Sequence, residues 1–134
     1  MIMRKMFLIF ELFGFINVFG QSTLTIEITN LRNDKGLVSL EILDKDNQNY
    51  QSKKVRIMNG KSIVQIDNIK DGKYAIRYIH DENSNDKLDT NWMGIPNEGY
   101  GFSNNAYGSF GPKDFEEWLF TVKGNTKITM TTKY

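Results

Sequence analysis

Oxygen-bearing groups recur at every second position of one short segment of the chain. In order, the candidate donors are the side chains of Asp81, Asn83 and Asn85, the backbone carbonyl of Lys87 and the side chain of Asp89. A hard cation such as Ca²⁺ takes oxygen ligands from a turning loop, and D-x-[DN]-x-[DN] loops bind calcium in this way. These five residues are therefore the candidate ligands of a Ca²⁺ ion that would order the loop rather than carry out chemistry.

The segment departs from an EF-hand loop in three respects. Asp86 stands where the tight turn usually has Gly, Trp92 stands where the bidentate Glu belongs, and no helix is predicted on either side. Glu82 or Glu98 is left to complete the ligand shell, and so few carboxylates predict weak affinity, about 10⁻⁴–10⁻³ M. The alternative is a solvated polar turn whose Asn and Asp side chains cap their own backbone.

Aromatic and glycine residues crowd the following part of the chain, residues 92–118. Rings on a loop can stack on a sugar or grip a peptide, and neighbouring amides can bind the polar groups of such a ligand. The candidate ligand-face residues are Trp92, Tyr100, Phe102, Asn104, Asn105 and Tyr107. The alternative is that the segment folds over one end of the domain and buries its rings as a satellite core.

The residues needed for catalysis are scarce, and no catalytic residue is predicted. His80 is the single histidine, and its expected role is to hydrogen-bond and order the loop that follows it. Ser103 and Asp114 are present, but no nucleophile turn such as G-x-S-x-G accompanies them. Zinc would need more His or Cys ligands than the chain has. The carboxylates to consider for a less favoured hydrolase reading are Asp81, Asp89, Glu98 and Glu116.

The charge balance and the absence of cysteine exclude several classes of function. The 134 residues include 17 Lys or Arg, 16 Asp or Glu and no Cys. A net charge close to zero argues against nucleic acid or an anionic membrane as a partner. Without cysteine there is no disulfide, lipid-attachment cysteine or thiol chemistry, so the fold must rely on its core or on its core together with a bound ion.

The amino terminus has the layout of a secretory signal peptide. Arg4 and Lys5 form a positive region, residues 6–19 are almost entirely apolar with Glu11 as their one charge, and residues 18–20 are tolerable before a cleavage after Gly20. The alternative is an uncleaved membrane anchor, although the stretch is short for a span. We expect a signal peptide, 1–20, and export to the periplasm, the outer surface or the medium. No transmembrane segment is expected in the mature chain.

Alternation of apolar and polar residues predicts about seven strands in a single domain, 21–134. The predicted strands cover residues 23–29, 38–42, 55–57, 63–66, 73–80, 118–122 and 127–132. We expect the first two to form a hairpin, residues 44–52 to be a loop, Asn59-Gly60 to be a hairpin turn and residues 114–118 to form one helical turn. The pattern indicates an all-β antiparallel sandwich with one long ordered loop, residues 81–117.

Several long motifs resemble the DUF2141 family of small exported bacterial proteins. They are residues 80–91 and 94–105, the strand end at 30–32, the Gly-x-Tyr turn at 72–74 and the stretch 110–115. The resemblance extends over essentially the whole mature chain. It implies an exported β-sandwich of the immunoglobulin-like or prealbumin-like kind, and it implies no established activity.

The function expected from these features is that of an exported, non-catalytic binding or accessory module. Its ligand face would be formed by residues 81–117, and its ligand would be an unknown glycan, peptide or envelope protein. The alternative is a purely structural component of the envelope or cell surface that has no ligand. The composition of the long loop, beside otherwise ordinary strands, motivates the first reading.

Overall fold

The computed structural model describes residues 22–134, and regular structure in this range is almost entirely β-strand. The strands are β1 (Thr23–Thr29), β2 (Leu37–Asp44), β3 (Asn49–Val55), β4 (Ser62–Asp67), β5 (Gly72–Asp81), β6 (Tyr100–Phe102), β7 (Tyr107–Gly108), β8 (Gly111–Pro112), β9 (Phe120–Val122) and β10 (Thr126–Thr131). Two 3₁₀ turns, Ser103–Asn105 and Phe115–Trp118, lie among the later strands. The predicted all-β class is confirmed.

Two sheets face each other across the core. The smaller sheet has the order β10-β1-β4, and the larger has the order β3-β2-β5, with β6 and β9 pairing with different parts of β5. β7 and β8 form a separate short ribbon. Strand pairing is antiparallel throughout the two sheets except between β1 and β10, which run parallel. This arrangement is the predicted β-sandwich.

The core is built from alternate residues of the paired strands. On β1 and β2 the inward side chains are Leu24, Ile26, Ile28, Val38, Leu40 and Ile42, and all of them are buried. The residues between them are partly exposed, so the period of two in the sequence separates the core face from the solvent face. Burying each such aliphatic side chain stabilises the fold by about 1.5–3 kcal/mol.

The predicted hairpin between β1 and β2 is wrong. β1 pairs with β4 and β10, whereas β2 pairs with β3 and β5, so the two strands belong to opposite sheets. The connection crosses the sandwich, with Asn30 and Gly36 in left-handed conformations at its ends. A side chain at Gly36 would clash with the carbonyl oxygen of Asp81, so the crossing packs directly against the end of β5.

The prediction that residues 44–52 are a loop is also wrong, because β3 begins at Asn49. β3 is an edge strand with both faces largely open to water, so it lacks the apolar alternation by which strands are recognised. Its Lys53 and Lys54 are typical of an edge protected from further pairing. The actual turn is short, and Asp44 caps it by accepting hydrogen bonds from the backbone N–H groups of Asp46 and Gln48.

The predicted turn at Asn59-Gly60 is present. Both residues have positive φ, 52° and 72°, and Met58 and Lys61 form a bridge on either side of them. The strands that flank this turn do not continue as a hairpin, because β3 joins the larger sheet and β4 joins the smaller one. The turn therefore connects the two sheets at one side of the sandwich and does not end a two-stranded hairpin.

The long irregular region contains more structure than the sequence analysis assigned to it. β6 adds to the larger sheet, and β7 and β8 form their ribbon before the helical turn predicted near 114–118, which is the 3₁₀ turn Phe115–Trp118. Because Trp118 belongs to that turn, the following strand begins at Phe120 instead of at 118. The last strand is Thr126–Thr131, one residue earlier than predicted.

β5 positions the regions that matter for function. Tyr74, Ile76 and Tyr78 point into the core, and Arg77 and Ile79 point to the outer face of the larger sheet. At its carboxyl end, β5 leads directly into the polar loop through Asp81.

The predicted signal peptide, 1–20, lies outside the described residues and stays a prediction. Within residues 22–134 no helix is long and apolar enough to cross a membrane.

Candidate functional site

The polar loop, residues 81–98, is held at both of its ends by one arginine. Arg32 donates two hydrogen bonds to the Glu82 carboxylate, at 2.6 and 3.1 Å, and one to the carbonyl oxygen of Asn97, at 2.8 Å. The Arg32 guanidinium also lies over the ring of Tyr134, 4.6 Å from its centroid. The outgoing and returning arms of the polar loop are thus fastened to the same side chain.

Asp81 fixes the first turn of the polar loop. It is only 2% exposed, and its two carboxylate oxygens accept the backbone N–H groups of Asn85, at 3.1 Å, and of Asp86, at 2.8 Å. Ser84 and Asp86 have positive φ, 55° and 62°. Asp86 therefore adopts the left-handed conformation that Gly usually supplies at this point of a cation-binding loop.

Asn83 and Asn85 link the turn to Asp89. Their side-chain amide groups donate to the two carboxylate oxygens of Asp89, at 2.6 and 2.8 Å. Their own amide oxygens accept the backbone N–H groups of Asn85, at 3.3 Å, and of Lys87, at 3.0 Å. Contact with the Glu98 carboxyl group, together with these amides, lowers the pKa of Asp89.

Glu98 reaches the same place from the returning arm. It is 3% exposed, and one of its carboxyl oxygens accepts the backbone N–H of Glu82 at 2.9 Å. The other, Oε1, is buried and has no hydrogen-bond partner among residues 22–134. Burial and the adjacent Asp89 carboxylate raise the pKa of Glu98 to about 7.

The predicted ligands of the polar loop are therefore close together, but their hydrogen bonds are those of a self-capped turn. In the described part of the chain, no three His, Cys, Asp or Glu side chains are arranged to hold a metal ion. The oxygen donors here are of mixed type: two Asn amides stand among the acids, and Lys87 can contribute only its backbone carbonyl. What the donors could hold together is one hard cation, not a transition metal.

A cleft of about 340 Å³ lies beside the polar loop, on the outer face of the larger sheet. Two rows of residues form its floor, each crossing β2, β5 and β6. These rows are Glu41, Arg77 and Phe102, and Ser39, Ile79 and Tyr100. Asp86 and Leu88 of the polar loop form one wall, so the cleft and the loop share a boundary.

Two ion pairs define the polar part of the cleft. Arg77 Nε donates to Glu41 across the floor, and both side chains remain partly exposed, 51% and 39% respectively. Lys54 on β3 pairs with Asp86 at 2.7 Å and ties the wall to the edge of the sheet. The cleft thus combines one accessible charge pair with aromatic and aliphatic surface.

The aromatic segment, residues 100–118, is mostly held by its own packing. Phe102 stacks at a tilt on Trp118, with ring centroids 4.5 Å apart, and Phe115 meets Trp118 edge-on at 5.5 Å. Tyr100 and Tyr107 meet each other and Phe102 at about 6 Å. Among the candidate ligand-face rings, Tyr100 and Phe102 border the cleft, whereas Tyr107 lies in the packed cluster.

Two aromatic side chains stand apart from this packing. Trp92 is 92% exposed at the tip of the polar loop, and Phe110 is fully exposed at the tip of the β7–β8 ribbon. Asn91 fixes the first tip, because its side-chain oxygen accepts the backbone N–H groups of Met93 and Ile95. Neither ring lines the cleft.

The amides of Asn104 and Asn105 bind backbone. Asn104 donates to the carbonyl oxygens of Glu117 and Leu119, at 3.0 and 2.9 Å, and Asn105 accepts the backbone N–H of Thr131 at 2.9 Å. Both residues have positive φ. The pair therefore fastens the aromatic segment to its neighbours through the amide nitrogen of Asn104 and the amide oxygen of Asn105.

His80 and Ser103 are both fully buried and hydrogen-bonded to different partners. His80 Nε2 donates to the carbonyl oxygen of Lys35 at 2.8 Å, which leaves Nδ1 to accept the hydroxyl of Tyr134 at 2.7 Å. The imidazole therefore joins the crossing from β1 to β2 to Tyr134, and its Nδ1 also lies 3.8 Å from the Glu82 carboxylate of the polar loop. Its expected role in ordering that loop stays a prediction. Ser103 accepts the backbone N–H of Ile76 and donates to the carbonyl oxygen of Trp118. Neither side chain activates the other.

Sequence reasoning identified only Tyr100 and Phe102 among the residues that form the floor of the cleft. Alternation placed Arg77 and Ile79 on the same face of β5, but only the pairing of β5 with β2 sets Arg77 beside Glu41. Arg32 was also missed, because its partners Glu82 and Asn97 are distant in sequence. Glu98 was one of two acids that the sequence left to complete the ligand shell, and the structure places its carboxyl group beside Asp89.

The sequence was also compared with known proteins. Residues 26–129 match the family described as "Uncharacterized protein conserved in bacteria (DUF2141)". No curated protein and no solved structure matches the chain.

Proposed function

The chain belongs to the DUF2141 family, and we propose that it is an exported, non-catalytic binding module whose ligand occupies the cleft on the outer face of the larger sheet. The ligand class that fits this cleft is a short neutral glycan. The observation that carries the proposal is the pair of cross-strand rows, which place the Arg77–Glu41 ion pair beside the rings of Tyr100 and Phe102.

The chemistry of the cleft suits a sugar ring. The apolar face of a sugar packs against an aromatic ring such as Tyr100, while its hydroxyl groups need donors and acceptors close by. The guanidinium of Arg77 and the carboxylate of Glu41 supply both kinds of group and are accessible enough to exchange partners with a ligand. A volume of about 340 Å³ lies at the lower end of the range for small-molecule sites, about 300–1,000 Å³.

The acids of the cleft favour binding over hydrolysis. A glycosidase needs one protonated carboxylic acid beside the scissile bond. Among residues 22–134 only two acids line the cleft, and each is bound to a basic side chain, Glu41 to Arg77 and Asp86 to Lys54. Glu98, whose pKa is raised, belongs to the polar loop and does not line the cleft.

Binding to a panel of short neutral glycans, measured by glycan array and then by calorimetry, tests the proposal. Arg77→Gln and Tyr100→Ala should each weaken binding by about tenfold or more, which corresponds to about 1.4 kcal/mol. Lys73→Gln is the matched control, because Lys73 is an exposed cation on β5 outside the cleft. Glycan binding that both cleft variants leave intact, or a complete lack of binding by the folded wild type, would contradict the proposal.

A second candidate function is that of a structural component which pairs with an envelope protein through a sheet edge. Met58 and Ile63 are 74% and 59% exposed beside an edge of β4 that pairs with no other strand of residues 22–134, where Val55, Arg56 and Lys61 complete a cleft. Exposed edges of this kind accept an added strand. Ile63→Lys should abolish recovery of a partner from envelope extracts, while Arg77→Gln should leave that recovery unchanged.

A further inference from the structure

The buried carboxyl group of Glu98 is not accounted for by the hydrogen bonds around it. More than nine-tenths of the residue is buried, yet Oε1 has no hydrogen-bond partner within residues 22–134. Buried polar atoms in folded proteins are nearly always paired, so an orphan oxygen needs an explanation such as an ion or a proton. Beside it stands the carboxylate of Asp89, which cannot donate a hydrogen bond when ionised.

We propose that Asp81, Asn83, Asn85, Asp89 and Glu98, with the backbone carbonyl of Lys87, bind a single Ca²⁺ ion. Glu98 supplies the acid ligand that the loop lacks at its twelfth position, where Trp92 stands. It does so from the returning arm of the polar loop, which Arg32 holds against the outgoing arm. The structure thus completes a ligand set that the spacing of residues along the chain leaves open.

The donors lie close to one another, and calcium would draw them together, since no three acids of residues 22–134 are arranged to hold a metal ion in the structure as it stands. Asp89 is the common neighbour, because it lies within hydrogen-bond distance of the Asn83 and Asn85 amides and beside the Glu98 carboxyl group. Two adjacent carboxylates repel each other unless a proton or a cation lies between them. A divalent cation would remove that repulsion and give Glu98 Oε1 the partner that it lacks.

The capping hydrogen bonds of the polar loop are compatible with an ion. The amide oxygens of Asn83 and Asn85 each accept one backbone N–H and keep a second lone pair, so capping and coordination need not compete. The left-handed Asp86 provides the tight turn that brings successive donors to one side. The same turn forms in cation-binding loops that have Gly at this position.

The donor set favours calcium over other divalent ions. All six donors are oxygen atoms of carboxylates, amides or a backbone carbonyl, which suit hard cations and not zinc. Mg²⁺ demands nearly ideal octahedral geometry and gives up its waters reluctantly, whereas Ca²⁺ accepts irregular shells of six to eight oxygens. A ligand shell that takes one carboxylate from the returning arm of the polar loop is irregular, and it therefore suits Ca²⁺ better than Mg²⁺.

The competing explanation is a proton shared between Asp89 and Glu98. One substitution distinguishes this explanation from calcium binding. In Glu98→Gln the side-chain amide can donate a hydrogen bond to Asp89, as a protonated Glu98 would, but the charge that a cation needs is gone. If the pair exists only to share a proton, this variant behaves as the wild type does. If the pair exists to bind calcium, the variant folds without responding to calcium.

The experiment measures thermal unfolding and calorimetric binding of the exported protein, first in EDTA and then in a few millimolar CaCl₂. We expect Tm of the wild type to rise by roughly 5 °C with calcium, because the ion binds only the folded loop. Glu98→Gln and Asp89→Asn should lose this rise and show no calorimetric binding, while Glu98→Gln keeps the Tm of the wild type in EDTA. Asp46→Asn is the control, since it removes one acid from the turn between β2 and β3 and should respond as the wild type does.

Three results would overturn the proposal. A wild-type Tm that calcium leaves unchanged would show that the folded loop binds no calcium. An equal rise in the wild type and in Glu98→Gln would place any bound calcium elsewhere on the chain. An equal rise with MgCl₂ and with CaCl₂ would remove the preference for calcium. Because no glycan is present in these measurements, their outcome is independent of whether the cleft binds one.

Discussion

The polar loop and the aromatic segment are neighbours in sequence and form one irregular region, but different forces hold them in place. The polar loop is organised by charged and amide groups that converge on Asp89 and Glu98, and one buried oxygen of this group is left without a partner. The aromatic segment is organised by rings that pack around Trp118 and by amides that bind backbone. The stability of the polar loop should therefore respond to ions, and the stability of the aromatic segment should depend on the apolar area that its rings bury.

The largest effect on stability should come from removing the centre of the aromatic segment. Trp118→Ala deletes the side chain against which Phe102 and Phe115 pack, and should lower the free energy of unfolding by about 3–5 kcal/mol. Urea denaturation measures this loss. Phe110→Ala, at a fully exposed position, is the control and should change the free energy by less than about 0.5 kcal/mol. If Trp118→Ala abolished the calcium response while the protein stayed folded, the polar loop and the aromatic segment would not be held in place by different forces.

A smaller loss is expected where the aromatic segment is attached to β5. Ser103→Ala removes a buried hydroxyl that accepts the N–H of Ile76 and donates to the carbonyl oxygen of Trp118. Leaving these groups unpaired should destabilise the protein by about 1–3 kcal/mol, as measured by chemical denaturation. Ser109→Ala, on an exposed serine of the β7–β8 ribbon, should have no measurable effect. A neutral result for Ser103→Ala would show that packing alone attaches the segment.

A weaker effect on stability, but a selective one, is expected at the base of the polar loop. Arg32→Met releases Glu82 and the carbonyl oxygen of Asn97, and because these groups are partly exposed the loss should be at most about 1 kcal/mol. The same change should weaken calcium binding, since Glu98 depends on the two arms staying together. Calorimetric titration with CaCl₂ checks this expectation. Unaltered calcium affinity in Arg32→Met would mean that the arms are held by other contacts.

The smallest effect on stability should come from the wall of the cleft. Lys54→Met removes the exposed ion pair with Asp86 and should change the free energy of unfolding by less than about 0.5 kcal/mol. It should nevertheless reduce glycan affinity several-fold, because Asp86 and Leu88 are then less firmly placed over the floor. Lys53→Met, at the adjacent position on β3, is the matched control for binding by calorimetry. Equal glycan affinities of Lys54→Met and Lys53→Met would show that the position of the polar loop does not affect glycan binding in the cleft.

The sequence predicted the core strands well because burial leaves a periodic signal. Ile26 and Leu40 alternate with polar residues, and both are buried in the core between the sheets. β3 was missed because an edge strand open to water on both faces has no such signal. The pairing of β1 and β2 was predicted wrongly because adjacent strands in the sequence need not be adjacent in a sheet, and only packing decides where a connection crosses.

The candidate site was only partly accessible from the sequence for a related reason. Asp81 to Asp89 share a local spacing, so their donors could be proposed from the chain alone. Glu98 and Arg77 acquire their partners through the return of the polar loop and through the register of β5 with β2 and β6. Such long-range pairings are properties of the fold, and a short motif does not contain them.

Residue-resolved amide hydrogen exchange in EDTA and in calcium tests most directly whether the two neighbouring segments are held by different forces. Calcium should slow exchange within residues 81–98 of the wild type and leave residues 100–118 unchanged, and Glu98→Gln should show no slowing in either segment. Slowing throughout the aromatic segment, or no slowing within the polar loop, would contradict the account.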